Sequence, residues 1–360
     1  MRNLLKTKIT TKLFVLLLGI FTTISLFSQG QNLLKLVKDN DVNAVKELIA
    51  SGAEINFEQE DDLHGMTPLG LNIMMNNSVM AKILIDAGAD VNTKNYLGDA
   101  LANNRVEMVK LLIAEGANVN REEEISGSIY TPLIQAFRST ELTKILIDAG
   151  ADVNHRDKIR GSTPLIQACK SYNPEAVKML IDAGADINAQ ETSSGYTPLI
   201  YTCQYNFQDL AKDLITEGAD VNLKGHDGTT ALLEIASRSQ ELTEQLLSKG
   251  ADIHAKKEDG SGIFLQCITG ILFERVPIEM AELLLSKGAN VDESPASGTE
   301  AGGTALMLAS GFNKEELVKF LIQKGANVNA KANDGTTALS LATAEGHQNI
   351  VETLKNHGAK

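Results

Sequence analysis

Apolar residues recur along this chain in two alternating registers. One is a short run that follows Thr-Pro-Leu or Thr-Ala-Leu, as in TPLIQAC from Thr163 and TALSLAT from Thr337. The other is longer, with apolar residues three and four apart and a closing glycine, as in EAVKMLIDAG from Glu175 and EELVKFLIQKG from Glu315. Both spacings predict helices. A threonine before proline can cap a helix, and proline in the first helical position gives up no needed N–H. Glycine after the last turn takes the left-handed conformation that ends a helix. The pattern therefore predicts a short inner helix, a turn, an outer helix and an extended polar finger leading to the next threonine.

The unit repeats down the chain. The phrase around the closing glycine reads SGAEIN, AGADVN, EGANVN, AGADVN, AGADIN, EGADVN, KGADIH, KGANVD and KGANVN, and a final HGAK closes the chain. Its anchors are Gly52, Gly88, Gly116, Gly150, Gly184, Gly218, Gly250, Gly288, Gly325 and Gly358, at steps of 36, 28, 34, 34, 34, 32, 38, 37 and 33 residues. The threonine phrase runs in phase at Thr67, Thr131, Thr163 and Thr197, and softens to Thr-Ala-Leu at Thr230, Thr304 and Thr337. A period near 33 with these two phrases resembles the ankyrin repeat. The resemblance covers residues 31–360 and implies an all-α repeat solenoid of stacked helix-turn-helix units with short β-hairpin fingers, about ten units in all. One such unit cannot bury its apolar face alone, so stacking supplies the core.

Several units depart from the pattern. The first, Gln31 to Gly52, has no threonine phrase and is expected to be a polar cap. In the third, Gly98-Asp99-Ala100-Leu101 replaces Thr-Pro-Leu; the fourth is short by about two residues between its helices; the eighth reads Gly260-Ser-Gly-Ile-Phe-Leu with Pro277 before its outer helix. The third or eighth unit is a candidate break in the stack. Met74, Met75 and Met80 read as core filling.

The first thirty residues read as an address. Arg2, Lys6, Lys8 and Lys12 precede an apolar run from Leu13 to Phe27, and Ser28-Gln29-Gly30 follows. That is the three-part pattern of a secretory signal peptide, with cleavage expected after Gly30. Fifteen apolar residues are short for a membrane span. The expectation is a domain 31–360 outside the cytoplasm, periplasmic or secreted, of the exported bacterial type, with no membrane insertion after cleavage.

Charge and chemistry narrow the function classes. Without the first thirty residues the chain carries 29 basic and 46 acidic residues, a net of −17. Such a chain repels nucleic acid, and its charge is compatible with a basic partner or simply with a solvated acidic surface. No metalloprotease, nucleophile-elbow, phosphate-loop or dinucleotide motif occurs, and the six histidines are scattered. The expectation is no enzyme, no cofactor and no metal. The runs Glu58–Asp62 and Glu122–Glu124 read as solvated finger tips, with a weak calcium site or a basic contact as alternatives. Cys169 and Cys203 hold equivalent places in adjacent units, and Cys267 is the third cysteine. Helices 8–10 Å apart stack two such residues without bonding them.

The resemblance implies binding of another protein, by a monomer, through the concave face lined by inner helices and finger tips. Where the family usually has an apolar residue, four positions after the threonine, units four to seven carry Gln135, Gln167, Tyr201 and Glu234, whereas Leu71, Leu308 and Leu341 stand there in units two, nine and ten. This polar column predicts exposure in the groove. Tyr130 and Tyr196 precede the threonines, and Arg138, Lys170, Gln204, Tyr205 and Arg238 lie at or just past the inner helices. Tyrosine and arginine most often anchor interfaces. On this reading, replacing Tyr196, Tyr201 and Tyr205 with alanine abolishes partner capture and leaves the melt nearly unchanged. A scaffold is the first function implied; a secreted effector acting on a host protein and a periplasmic immunity or stress-protection protein are the alternatives.

Overall fold

The computed structural model describes residues 28–59, 65–125, 128–297 and 301–360. The basic and apolar segment read as a signal peptide, up to residue 27, and Glu60–Asp62 of the first acidic run lie outside the described residues. The chain divides into two compact units, one ending at Asp152 and the other spanning Val153–Lys360. The division falls in the finger after the fourth repeat, not at the third or the eighth.

In the first unit, residues 28–38 form α1, followed by α2 (Val42–Ala50), α3 (Pro68–Met75), α4 (Ser78–Asp86), α5 (Tyr96–Ala102), α6 (Val106–Ala114), β1 (Glu123–Ile125), β2 (Ser128–Tyr130), α7 (Pro132–Gln135), a 3-10 turn Ala136–Arg138 and α8 (Thr140–Asp148). The second unit holds α9 (Pro164–Lys170), α10 (Pro174–Asp182), α11 (Pro198–Gln204), α12 (Gln208–Thr216), α13 (Ala231–Ile235), α14 (Gln240–Ser248), α15 (Ile263–Leu272), α16 (Glu279–Ser286), α17 (Ala305–Gly311), α18 (Glu315–Gln323), α19 (Ala338–Ala344) and α20 (Gln348–Asn356). Each unit is an all-α repeat stack. Inner helices lie side by side, α3 against α5 and α5 against α7 in the first unit, α9, α11 and α13 in the second. Outer helices bury one stripe each, such as Ala176, Val177 and Leu180 of α10.

Local chemistry sets the helix ends. The hydroxyls of Thr163, Thr197 and Thr230 accept from the backbone N–H three residues on, at 3.3, 3.1 and 3.3 Å. The ten anchoring glycines all sit at φ between +83° and +101°, where a side chain would be strained. The third repeat replaces its missing threonine with Asn95, whose Oδ1 accepts from Gly98 N at 3.2 Å, and Tyr96 reaches back to Thr67 Oγ1 at 2.5 Å. The eighth takes its cap from the following finger: Glu293 Oε1 accepts from Gly262 N at 3.0 Å and Leu265 N at 3.1 Å. A Cβ on Gly262 would stand 2.3 Å from that carboxylate, so a side chain there would push the capping group aside. These substitutes explain why neither repeat breaks the stack.

Two expectations are corrected. β-hairpin fingers are not general: β1 and β2 form the one two-stranded ladder among the described residues. Other fingers fold around a carboxylate, as Asp157 accepts from Ile159, Arg160 and Ser162 N–H, and link finger to finger through single backbone bonds such as His226 N to Ser194 O, 2.8 Å. Nor are the three methionines all core: Met80 is fully buried, but Met74 and Met75 are exposed where α3 ends in its turn. Gly30, the expected cleavage point, is helical and lies against the Phe57 ring.

A rung of asparagine side chains ties most repeats to the next. Asn154 Nδ2 donates to Gly184 O at 3.1 Å, and its Oδ1 accepts from Asp186 N at 2.8 Å. Asn222 repeats this on Gly250 O and Asp252 N, at 2.9 and 2.8 Å, and Asn329 on Gly358 O and Lys360 N, at 3.0 and 2.9 Å. His254 occupies the equivalent place between the seventh and eighth repeats, with its ring 3.7 Å from the position a Gly288 Cβ would take. Its backbone keeps the turn of the other rungs, His254 N to Asp252 Oδ1 at 2.9 Å. His254→Asn is expected to complete the rung and stabilise the protein by about 1 kcal/mol, and Asn222→Ala to cost about the same; urea midpoints check both, and an unchanged His254→Asn midpoint rejects the rung as a stabilising contact.

Candidate functional site

The inner-helix side of repeats five to seven is built around a buried carboxylate. Glu191 lies in the finger before α11 and is 2% exposed. Lys170, the last residue of α9, reaches it with Nζ–Oε1 2.7 Å. The Tyr201 hydroxyl donates to Oε2, and the Ser193 and Ser194 hydroxyls reach the same oxygen at 3.3 and 3.0 Å. The Lys170 ammonium also stands 4.1 Å from the centre of the Tyr201 ring, within cation–π range. A charge this deep is tolerated only when paired and fully hydrogen-bonded. Burial works to raise the Glu191 carboxyl, but the bonds from Lys170, Tyr201 and Ser194 outweigh it and hold the group below the usual carboxylate range. Burial and the Glu191 contact push the Tyr201 phenol up.

Neighbouring groups are consumed in the same way. Tyr196 OH donates to Asp227 Oδ2 at 3.0 Å, and burial raises its phenol. Gln167 Nε2 donates to Ser162 Oγ at 3.0 Å. Glu234 pairs with Lys257 at 3.3 Å. Arg238 donates to the Cys203 carbonyl at 3.3 Å and to the Gln204 carbonyl, so it caps the end of α11 from the following repeat. Gln204 ends α11 half-buried. In the first unit, Tyr130 and Gln135 are half-buried, Gln135 Nε2 has no partner among the described residues, and exposed Arg138 lies 5.2 Å over the Phe137 ring.

The polar column is therefore not an exposed one. Leu71, Leu308 and Leu341 are half-buried like Gln135, Gln167 and Glu234, while Tyr201 is only 6% exposed. The position is at least half-buried in all seven of these repeats. In the second unit its polar atoms are satisfied inside the protein. Burial counts against the expectation that losing Tyr201 leaves the melt unchanged, because its ring fills the core and its hydroxyl solvates Glu191.

What is exposed lies at the other end of α11. Rings run from Tyr196 to Tyr201 (5.3 Å), on to Tyr205 (6.2 Å, stacked), to Phe207 (5.7 Å) and to Tyr172 (4.8 Å from Phe207). Tyr205 and Tyr172 are 47% and 48% exposed. Tyr172 and Phe207 escape the sequence reading, although one signal points to Tyr172. It occupies the left-handed turn position at φ +51°, filled by asparagine in five other turns (Asn40, Asn76, Asn104, Asn206 and Asn313). A tyrosine there is a backbone outlier.

The three cysteines are free and buried, and burial pushes their thiols up, that of Cys267 to about 12. They are packing groups, not poised nucleophiles. No helix of the described residues is long and apolar enough to cross a membrane. The family model described as ankyrin repeats (3 copies) matches residues 33–123, 97–191, 133–225, 189–257 and 272–360. No curated protein matches the chain.

Two measurements check the network. Tyr201→Ala is expected to cost about 3–4 kcal/mol of stability, whereas Tyr205→Ala stays within about 1 kcal/mol; equal urea midpoints reject the burial argument. Glu191 is held below its unfolded value, so its contribution is present above the ordinary carboxylate range and is lost as pH falls through the lowered value. Glu191→Gln should lower stability at neutral pH by about 2 kcal/mol, leaving Lys170 unpaired, and should flatten the acid loss seen in the parent. A parallel pH profile for both proteins counts against it.

Proposed function

Since the chain belongs to the ankyrin-repeat family, whose repeats are generally modules for binding other proteins, we propose that it is a non-catalytic scaffold that holds a partner protein outside the cytoplasm. The partner sits along α11 and around its C-terminal turn, in repeats five to seven. One observation carries the placement: Tyr205 and Tyr172 are large, exposed rings in a continuous aromatic run whose buried end is fixed by the Lys170–Tyr201–Glu191 contacts. Rigid aromatic anchors give binding area at small entropic cost. The strained backbone of Tyr172 supports the same reading, since asparagine there would be easier to fold.

Export is supported by the basic start, the apolar run to Phe27 and the small residues Ser28 and Gly30. The net charge of −17 after that segment supports a basic partner. The experiment is capture from the envelope fraction and culture medium of the producing cells. The bait is the chain starting at Gln31. A protein retained by the parent chain should be lost when Tyr172→Asn and Tyr205→Ala are combined, with the urea midpoint of the variant within about 1 kcal/mol of the parent. Undiminished capture by that variant rejects the placement; N-terminal sequencing that finds Met1 intact on the mature protein rejects the export route.

A further inference from the structure

The outer helices carry a second feature that the inner-helix reading does not use. In two seams, neighbouring outer helices are strapped together by a lysine that crosses from one repeat to the next. Lys110 of α6 reaches Glu141 of α8 at 3.6 Å, and Lys212 of α12 reaches Glu241 of α14 at 2.7 Å. In each case the lysine is the fifth residue of its helix and the glutamate the second of the next. Between α10 and α12 the same places hold Lys178 and Asp209. Asp209 is a methylene shorter and lies 3.9 Å from Lys212 in its own helix. Lys178 turns back to Asp182 at 3.6 Å. This seam has no such strap, and it carries a groove of about 370 Å³.

The groove has an apolar floor and an acidic rim. Pro174, Val177, Ile181 and Leu210 line its floor; Glu175, Asp213 and Glu217 stand at its edges, and Lys178, the one cation of the lining, is neutralised by Asp182, so the groove keeps a net negative charge. All three carboxylates are exposed, and none forms an ion pair among the described residues. Neither α10 nor α12 places a basic residue in its last turn, so the negative ends of both helix dipoles, beside Asp182 and Glu217, add to the field. A narrow apolar trough edged by free carboxylates matches one side-chain type: an aliphatic stem carrying a cation.

We propose that this groove docks a lysine- or arginine-rich segment of a partner protein, which supplies in trans the cationic strap that Lys178 and Asp209 fail to form. The stems lie on Pro174 and Ile181, and the charged heads meet Glu175, Asp213 and Glu217. The site lies on the outer helices, so it is independent of the aromatic surface at α11.

The test is fluorescence anisotropy of a labelled oligolysine peptide against the whole mature chain, with oligoglutamate as the control peptide. Two triple variants remove the same number of charges: Glu175→Gln with Asp213→Asn and Glu217→Gln in the groove, and Glu258→Gln with Glu345→Gln and Glu352→Gln away from it. Each rim contact is of the exposed kind, so the groove variant should bind oligolysine about tenfold more weakly. The distant triple should stay within about twofold of the parent. The Tyr172→Asn/Tyr205→Ala protein should keep full oligolysine affinity even if it loses its partner, which separates this site from the aromatic one. Equal weakening by both triples would show only a diffuse acidic field, and unchanged binding by the groove triple would show no site there; either result overturns the proposal. Urea midpoints of the two triples, expected to match the parent, exclude a folding defect.

Discussion

The apolar face of each repeat has nothing to rest on except the repeat beside it. Helices of seven to nine residues, such as α9 and α10, are too short to persist alone. Their buried residues, Leu165, Ile166, Ala168 and Cys169 on one helix and Ala176, Val177 and Leu180 on the other, are a single layer deep. Every other feature follows from that thinness. The loop after each outer helix must be fixed in register, which the asparagine rungs do by matching one side-chain amide to a carbonyl and an N–H of the next repeat. Where a capping residue is missing, a neighbour supplies the bond, as Glu293 does for α15, because an orphaned helix start has no thick core to hide in.

The same constraint shapes the polar insertions. In the second unit the polar residues in the fifth position of the threonine phrase, Gln167, Tyr201 and Glu234, each find a partner within the protein. Glu191 is a charge admitted to this layer with four donors around it, and Tyr201 and Lys170 are held still as a result. Immobilised rings at the buried end of the run and accessible rings at the other make repeats five to seven rigid where they meet solvent. On the outer side two seams are closed by lysine straps. Between α10 and α12, where Asp209 and Lys178 each pair within their own helix, the seam is apolar at its base and acidic at its rim. Both surfaces thus arise from small departures in repeats that otherwise agree.

Much of this was legible in the chain. The period, the threonine caps, the glycine helix ends and the shortened turn of the fourth repeat follow from residues that act within a few positions of themselves, and they appear where the pattern places them. The residues around α11 were also found, because tyrosine and arginine are conspicuous in a sequence with few aromatics. Their exposure was misread. Tyr201 and Tyr205 are both tyrosines at the end of one phrase, yet one is 6% and the other 47% exposed, and four residues along a helix decide the difference. Tyr172, Phe207 and Glu191 went unnoticed because each takes its meaning from a contact with another repeat.

The sequence by itself determined the unit, its helices and its register, since capping, left-handed glycine and helical periodicity are short-range effects written into each repeat. The tertiary structure alone decided which polar groups are spent inside the protein, where the chain divides into two compact units, and which seams carry a strap. Those outcomes depend on side chains about thirty residues apart meeting across a repeat boundary, which no short-range pattern records.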